Sequence, residues 1–212
     1  MSPRSAATNA SLRHATRARI LEHALTLFAE RGYAATPVDA IVQAAGISPG
    51  LLYHYFPGKQ AVLVALFEES LRDVRASFQA ADEEPDPGRR LGALLRAATR
   101  IMKANRAFWA LSYSVRMQRD VLGDLGPMLR QWTAEIVAVL EHYLRGAGWP
   151  KPKVEAALLF AQIDGLHQHF VLDPEHYPVD ALTEALVIRY ADPPRARPRP
   201  ESRRRRPRRH SK

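Results

Sequence analysis

Cysteine is absent from the 212-residue chain. This absence excludes disulfides and thiolate metal sites, and it fits a reducing compartment such as the cytoplasm, where we expect the protein. No apolar run reaches the roughly 18 residues that a membrane span needs, and the polar segment from Ser2 to Arg19 lacks the apolar core of a signal peptide. We therefore expect no membrane partner.

Net charge is absent from most of the chain and is concentrated at its end. The basic residues of 193–212 are Arg195, Arg197, Arg199, Arg203, Arg204, Arg205, Arg206, Arg208, Arg209 and Lys212. With Glu201 as its one acid, this tail carries the whole formal net charge of +9. It has little apolar surface to bury, so we predict disorder. Such an arm either strengthens DNA binding regardless of sequence or is a solvated extension without a role.

An alternating pattern typical of strands is also missing, and so are internal repeats. Apolar residues instead recur at helical spacing, as in Ile20, Leu21, Ala24 and Phe28, which predicts an all-α fold with about nine helices. Pro127 is predicted to start one of the later helices and Gly146 to stop it. We divide the chain into a DNA-binding domain (13–60), a ligand-binding and dimerisation domain (61–192) and the tail (193–212).

Residues 36–56 have the pattern of two short helices joined by a tight turn. Thr36 is predicted to cap the first helix with Pro37 at its first position, and Gly46 permits the turn. Ser48 is predicted to cap a second helix that runs from about Pro49 to Phe56. This spacing is typical of a DNA-reading helix-turn-helix, although an ordinary corner between two helices has the same spacing.

Residues 13–67 resemble the DNA-binding head of the TetR family of transcription regulators. The matching residues are Ile20-Leu21, Ala24, Phe28, Arg31-Gly32-Tyr33, Thr36-Pro37-Val38, Ile41, Ala44-Ala45-Gly46-Ile47-Ser48, Gly50, Leu52-Tyr53-His54-Tyr55-Phe56, Lys59 and Leu63. The resemblance implies a non-enzymatic regulator that binds an operator in double-stranded DNA.

The resemblance also implies roles for individual residues. It assigns phosphate contacts or caps to Thr36, Ser48, Tyr53, Tyr55 and Lys59. Gly50, Leu51 and His54 take the positions that face base edges, and Arg17 is placed near a phosphate or the minor groove. Pro49 stands where several relatives carry a long polar side chain, and Leu51 is apolar as well. His54 is thus the one clear hydrogen-bonding reader, and DNA shape supplies more of the specificity.

Beyond residue 67 the resemblance implies a helical bundle that dimerises through its last two helices and encloses a small-molecule pocket. The pocket candidates are aromatic, apolar or polar side chains of the middle and later helices, namely Met102, Phe108, Trp109, Tyr113, Met117, Trp132, Gln162 and His167. The alternative for each is that it simply fills the core. Gly165 indicates a close approach between helices or is a tolerated glycine.

No metal site, cofactor or catalytic arrangement is predicted. His167 and His169 lie two residues apart on a helix and point away from each other. Asp164 has no partner that the sequence identifies. The pattern and the resemblance together predict a homodimeric, ligand-responsive repressor that binds a palindromic operator. The alternatives are a small-molecule sensor that acts as an activator, a small-molecule sensor or enzyme body with a vestigial head, and a non-specific nucleic-acid binder driven by the tail.

Overall fold

The computed structural model describes residues 3–192, with side chains from Thr8 onward and a few gaps in helices α4, α5 and α7. The predicted disorder of 193–212 lies outside the described residues. The helices of the described part are α1 (Pro3–Arg31), α2 (Val38–Ala45), α3 (Pro49–Tyr55), α4 (Lys59–Asp82), α5 (Pro87–Ala104), α6 (Arg106–Arg116), α7 (Arg119–Gly146), α8 (Pro152–Leu172) and α9 (Val179–Ala191). The all-α prediction with about nine helices is confirmed for this range.

Two glycines end the first two helices, and the turn that the sequence predicts at Gly46 is confirmed. Gly32 and Gly46 have φ of 83° and 61°, the left-handed region that side chains with a Cβ rarely adopt. At Gly46 the backbone N–H donates to the carbonyl of Gln43, and the next N–H, of Ile47, donates to that of Val42. This pair of bonds satisfies the last carbonyls of α2 and turns the chain into α3.

Two predicted helix starts are wrong. Pro37, not Thr36, is the N-cap of α2, and the helix has no side-chain cap. Pro127 lies inside α7, which begins earlier, at Arg119. Leu125 and Leu129 are buried on either side of this proline, so packing keeps the chain helical where local propensity favours a start.

The buried apolar side chains form two clusters. The proximal cluster joins the head to the body, because it runs from Ile20 and Leu52 to Phe67, Trp109 and Trp132. The distal cluster joins α5, α7, α8 and α9 and includes Leu94, Leu95, Leu140, Leu159 and Tyr190. Helix α6 packs against α1 of the head and against α7 and α8 of the body. The DNA-binding head (13–60) is therefore packed against the rest of the chain, which we call the body, through a shared apolar core.

No helix within residues 3–192 is both long enough and apolar enough to cross a membrane.

The two glycines of the helix-turn-helix should respond oppositely to alanine. Gly46→Ala forces a Cβ into the left-handed region and should lower the free energy of unfolding by about 1 kcal/mol. Gly50→Ala is its matched control, because Gly50 is helical and an added Cβ meets no atom within 4 Å. It should leave the stability unchanged or slightly raise it. Urea denaturation measures both, and equal losses would contradict the argument.

Candidate DNA interface and effector cavity

Helix α3 is held in place by one cap and one buried face. The Ser48 hydroxyl accepts a hydrogen bond from the N–H of Leu51 at 3.3 Å, and Pro49 takes the first helical position. Leu52 and Phe56 are buried in the proximal cluster. A helix of seven residues is marginal by itself, so this packing and the cap are what keep α3 folded.

The opposite face of α3 is open to solvent. Ser48, Gly50, Leu51, Tyr53 and His54 are exposed and Tyr55 is half-buried, with its ring edge-on to that of His54 at 5.4 Å. These residues include the three that the sequence predicts to face bases. The face carries no lysine, arginine, aspartate or glutamate, so the predicted DNA contacts of α3 depend on shape, hydroxyls and one imidazole.

Thr36 does not lie on this face. Its side chain is fully buried, and its hydroxyl donates to the carbonyl of Gly32 at 2.8 Å, with the carbonyl of Leu27 at 3.3 Å as a weaker second acceptor. The hydroxyl therefore closes the turn after α1. The phosphate contact predicted for the Thr36 side chain is corrected accordingly.

Lys59 has a structural role within the chain, and its predicted phosphate contact stays a prediction. Its ammonium group donates to the carbonyls of Tyr33 (2.8 Å), Thr36 (2.9 Å) and Ala34 (3.2 Å), and lies 4.6 Å from the centre of the Tyr33 ring. An ammonium has three N–H donors, so all are used within the chain. Burial lowers the pKa of Lys59 from its usual value. The hydrogen bonds of Lys59 thus connect the turn between α1 and α2 to the start of α4.

Arg17 is engaged as well, but less firmly. Its guanidinium forms an ion pair with Glu69 of α4 and lies 5.5 Å from the centre of the Phe56 ring. Both partners of the pair are partly exposed. Because exposed pairs contribute about 0–1 kcal/mol, Arg17 can exchange Glu69 for a phosphate at little cost. Its DNA contact stays a prediction.

A cavity of about 90 Å³ lies where the two apolar clusters meet. Trp109, Leu129 and Trp132 of the proximal cluster form part of its wall, and Leu94, Leu95 and Leu140 of the distal cluster form another part. The wall also includes Val74, Phe78, Ala98, Ile101, Arg116, Thr133, Ile136, Phe160, Ile163, Asp164 and His167. The cavity is therefore enclosed by helices α4 to α8 and is mostly apolar.

One end of the cavity is polar. The Arg116 guanidinium donates two hydrogen bonds to the Asp164 carboxylate at 2.9 and 2.8 Å, which ties α6 to α8. These bonds raise the pKa of Arg116 further above its usual value. Tyr113 adds a hydrogen bond from its hydroxyl to the Asp164 carbonyl at 3.3 Å. No local pattern in the sequence indicated this pair, because its members are 48 residues apart.

His167 joins the cavity to α9 through hydroxyl groups. Thr183 donates to the carbonyl of Val179 at 2.8 Å, so its oxygen accepts from Thr99 at 2.9 Å. The Thr99 oxygen then accepts from His167 Nε2 at 3.3 Å. This direction of donation assigns the proton of the neutral imidazole to Nε2. Burial lowers the pKa of His167 to about 4, so the ring is neutral at pH 7.

Of the predicted pocket residues, Trp109, Trp132 and His167 are in the cavity wall. The others are not, which corrects the prediction. Met102 and Phe108 are buried in the proximal cluster, as in the core-filling alternative. Tyr113 is bonded to Asp164, Gln162 accepts from the Tyr190 hydroxyl at 3.2 Å, and Met117 is 83% exposed. Helical periodicity separates inside from outside, but it does not separate a cavity wall from filled core.

The indole N–H groups of Trp109 and Trp132 are buried without a hydrogen-bond partner among the described residues. Their rings lie 5.9 Å apart at the cavity. No group of three or more histidine, aspartate or glutamate side chains in the described part of the chain is arranged to hold a metal ion.

Known protein families match both the helix-turn-helix region and the helices that form most of the cavity wall. The family described as "Bacterial regulatory proteins, tetR family" matches residues 20–66, and "Tetracyclin repressor-like, C-terminal domain" matches residues 89–193. The chain belongs to the TetR family. It is therefore a DNA-binding transcription regulator of a non-enzymatic family, as the resemblance in the head implies.

Individual proteins that resemble this TetR-family chain match it over most of its length. The HTH-type transcriptional regulator BetI of Brucella melitensis biotype 2 is 28% identical over 182 residues, covering 82% of this chain and 88% of BetI. Among solved structures, the fatty acid degradation regulator FadR of Bacillus halodurans has a TM-score of 0.72 at 20% identity, covering 83% of this chain and 94% of FadR. FadR of Bacillus subtilis, solved in complex with stearoyl-CoA, has a TM-score of 0.69 at 18% identity, covering 82% and 96%. These two structures share the fold of this TetR-family chain.

Lys59→Met separates the structural role of the lysine from a phosphate contact. Loss of the three hydrogen bonds should lower the free energy of unfolding by about 2 kcal/mol in the absence of DNA. Gln60→Met is the matched control, since Gln60 is the exposed neighbour on α4. Denaturation of the free protein measures both. A normal stability with weakened DNA binding would instead assign Lys59 to the phosphate backbone.

The stability of the fold should fall in mild acid because of His167. The unfolded chain protonates this histidine near pH 6.5, whereas the folded chain resists protonation until about pH 4. The stabilisation that neutral His167 gives the folded state is thus fully present above pH 6.5. As the pH falls from 7 to 5, the free energy of unfolding should decrease by about 2 kcal/mol. His167→Gln should flatten the pH dependence of unfolding over this interval, and His14→Gln, an exposed control, should not. Identical pH profiles for His167→Gln and the wild type would refute the assignment.

Proposed function

We propose that the protein is a homodimeric repressor that releases a palindromic operator when a small molecule occupies the cavity. The observation that carries the proposal is the position of the cavity at the junction of the two clusters. In this scheme residues 13–60 contact DNA, and residues 61–192 bind the effector and dimerise. Each head enters one major groove, with half-sites about one helical turn apart.

Helix α6 is the proposed connection between effector and DNA. It supplies Trp109 and Arg116 to the cavity wall and packs against α1 of the head. A molecule that displaces these side chains therefore acts on a helix that supports the head directly. Filling the cavity would favour a dimer whose heads have the wrong separation for successive major grooves.

An effector with an apolar chain fits the cavity best. Trp109, Trp132, Ile136 and Ile163 are typical of its wall, and Arg116, Thr133, Asp164 and His167 are its few polar members. This composition is that of small-molecule sites, where a few polar groups orient a mostly apolar ligand. FadR of Bacillus subtilis, with the same fold, was solved with stearoyl-CoA, which has such a chain.

The outer faces of α8 and α9 support the proposed dimer. On α8, the residues Val154, Leu158, Ala161, Gly165, Gln168 and Leu172 follow the alternating spacing of four and three that characterises packed helix pairs. Leu158 is 51% and Leu172 73% exposed, and Ile188 on α9 is 75% exposed. An added Cβ at Gly165 would meet no atom within 4 Å. This stripe of six α8 residues is thus largely exposed within one subunit, and a second copy of the chain would bury it.

A footprint of the full-length protein on the DNA flanking its own gene tests the proposal. We expect one protected palindrome and, with an effector present, a 5- to 150-fold loss of operator affinity, the usual range of allosteric coupling (about 1–3 kcal/mol). The double variant Leu158→Glu, Leu172→Glu should lose the paired protection and sediment as a monomer. Lys153→Glu is the control, because Lys153 is an exposed residue of the same helix about 100° around the helix axis from the middle of the stripe, and it should keep both properties.

The alternatives give different results in the same experiment. An activator protects the palindrome but raises transcription from the adjacent promoter. A sensor with a vestigial head shows no specific protection. A non-specific binder driven by the tail protects DNA without sequence preference, and truncation at residue 192 abolishes its binding.

A further inference from the structure

A second depression lies beside the effector cavity and shares part of its lining. This groove has a volume of about 570 Å³ and is lined by Arg116, Gly126, Leu129, Arg130, Thr133, Ala134 and Val137. Arg116, Leu129 and Thr133 also belong to the cavity wall. The groove between α6 and α7 therefore adjoins the cavity at these three side chains.

The two volumes indicate how a ligand divides between them. The cavity, at about 90 Å³, is well below the roughly 300–1,000 Å³ of typical small-molecule sites. A molecule that places an apolar chain in the cavity has to place the remainder elsewhere. The adjoining groove, which shares three lining residues with the cavity, is the nearest place for that remainder.

The groove is basic where the cavity is apolar. Among the side chains that the structure describes, its lining contains Arg116 and Arg130 and no acidic residue. Arg130 is exposed and has no ion pair among the described side chains. Its guanidinium lies over Gly126, since a Cβ built there would be 3.2 Å from Nη1. The arginine therefore lies along the groove and does not extend away into solvent.

Arg116 connects the two compartments. Its carboxylate partner, Asp164, is in the cavity wall but does not line the groove. The Arg116–Asp164 pair is formally neutral, so Arg130 gives the groove its positive charge. A guanidinium has five N–H donors in a planar fork that suits carboxylate and phosphate oxygens, and two of those of Arg116 are used by Asp164.

We propose that the effector is an anionic amphiphile, whose apolar chain enters the cavity and whose carboxylate or phosphate-bearing head lies on Arg130 and Arg116 in the groove. This inference rests on the proposed effector cavity and adds the charge and place of the head group. Arg130 is the residue that selects an anionic head.

A chain-matched series of eight-carbon ligands tests the charge preference. The series comprises octanoyl-CoA, octanoate, 1-octanol and octyltrimethylammonium, with coenzyme A as the probe that lacks the chain. Tryptophan fluorescence reports binding to the full-length protein, because Trp109 and Trp132 are in the cavity wall. We expect at least one anionic ligand to bind about fivefold or more tightly than octanol, and the trimethylammonium compound to bind more weakly than octanol. Octanoyl-CoA against octanoate distinguishes a phosphate-bearing head from a carboxylate.

Variants test the place of the head. Arg130→Ala should remove most of the anion preference while octanol binding stays as in the wild type, and Arg130→Lys should keep part of the preference. Arg100→Ala is the matched control, since Arg100 is an exposed arginine of α5 outside both linings. The anion preference should also shrink as NaCl rises, as expected for a charge at the surface.

Each contrary result has a distinct meaning. Equal binding of octanol and both anions overturns the inference. An anion preference that survives Arg130→Ala places the head elsewhere and overturns the groove assignment. Failure of every eight-carbon ligand to bind overturns the inference that the effector is an anionic amphiphile. The operator footprint needs no ligand, so it still tests separately whether the protein binds a palindromic operator.

Discussion

The packing of four aromatic rings holds the head and the cavity together. Phe67 of α4 contacts Phe108 of α6 and Trp132 of α7, with ring centres 5.1 and 6.4 Å apart, and Trp109 contacts both Phe108 and Trp132. Phe67 is in the same cluster as the core of the head. The rings are rigid and large, and they make the cavity wall and the core of the head parts of one packed cluster.

Local signals allowed the helix-turn-helix to be predicted well. The cap at Ser48 and the turn at Gly46 depend on neighbours within four residues, and these were visible in the sequence. The burial of the Thr36 hydroxyl and the three internal bonds of Lys59 were not predicted, because their partners lie in the surrounding turns, where carbonyls accept their donors. A resemblance identifies which positions matter, but a buried hydroxyl and an exposed one look the same in sequence.

The cavity was less predictable for a different physical reason. Its polar end depends on Arg116 and Asp164, whose contact needs the complete packing of α6 on α8. Its wall is drawn from both clusters, and whether a side chain such as Phe108 faces a void or another ring depends on shape at the scale of a methyl group. Pro127 illustrates the same limit, since tertiary packing keeps it inside α7.

If the cavity holds the proposed effector, its position between two clusters makes redesign of the ligand specificity asymmetric. Leu94, Leu95 and Leu140 line it from the distal cluster, away from the core of the head. Reshaping that side changes the space for a ligand without touching side chains that support α1 to α3. Reshaping Trp109 or Trp132 changes ligand fit and head support together. A biosensor engineered from this scaffold would therefore retain its switching most readily when new ligand contacts are built on α5 and the second half of α7.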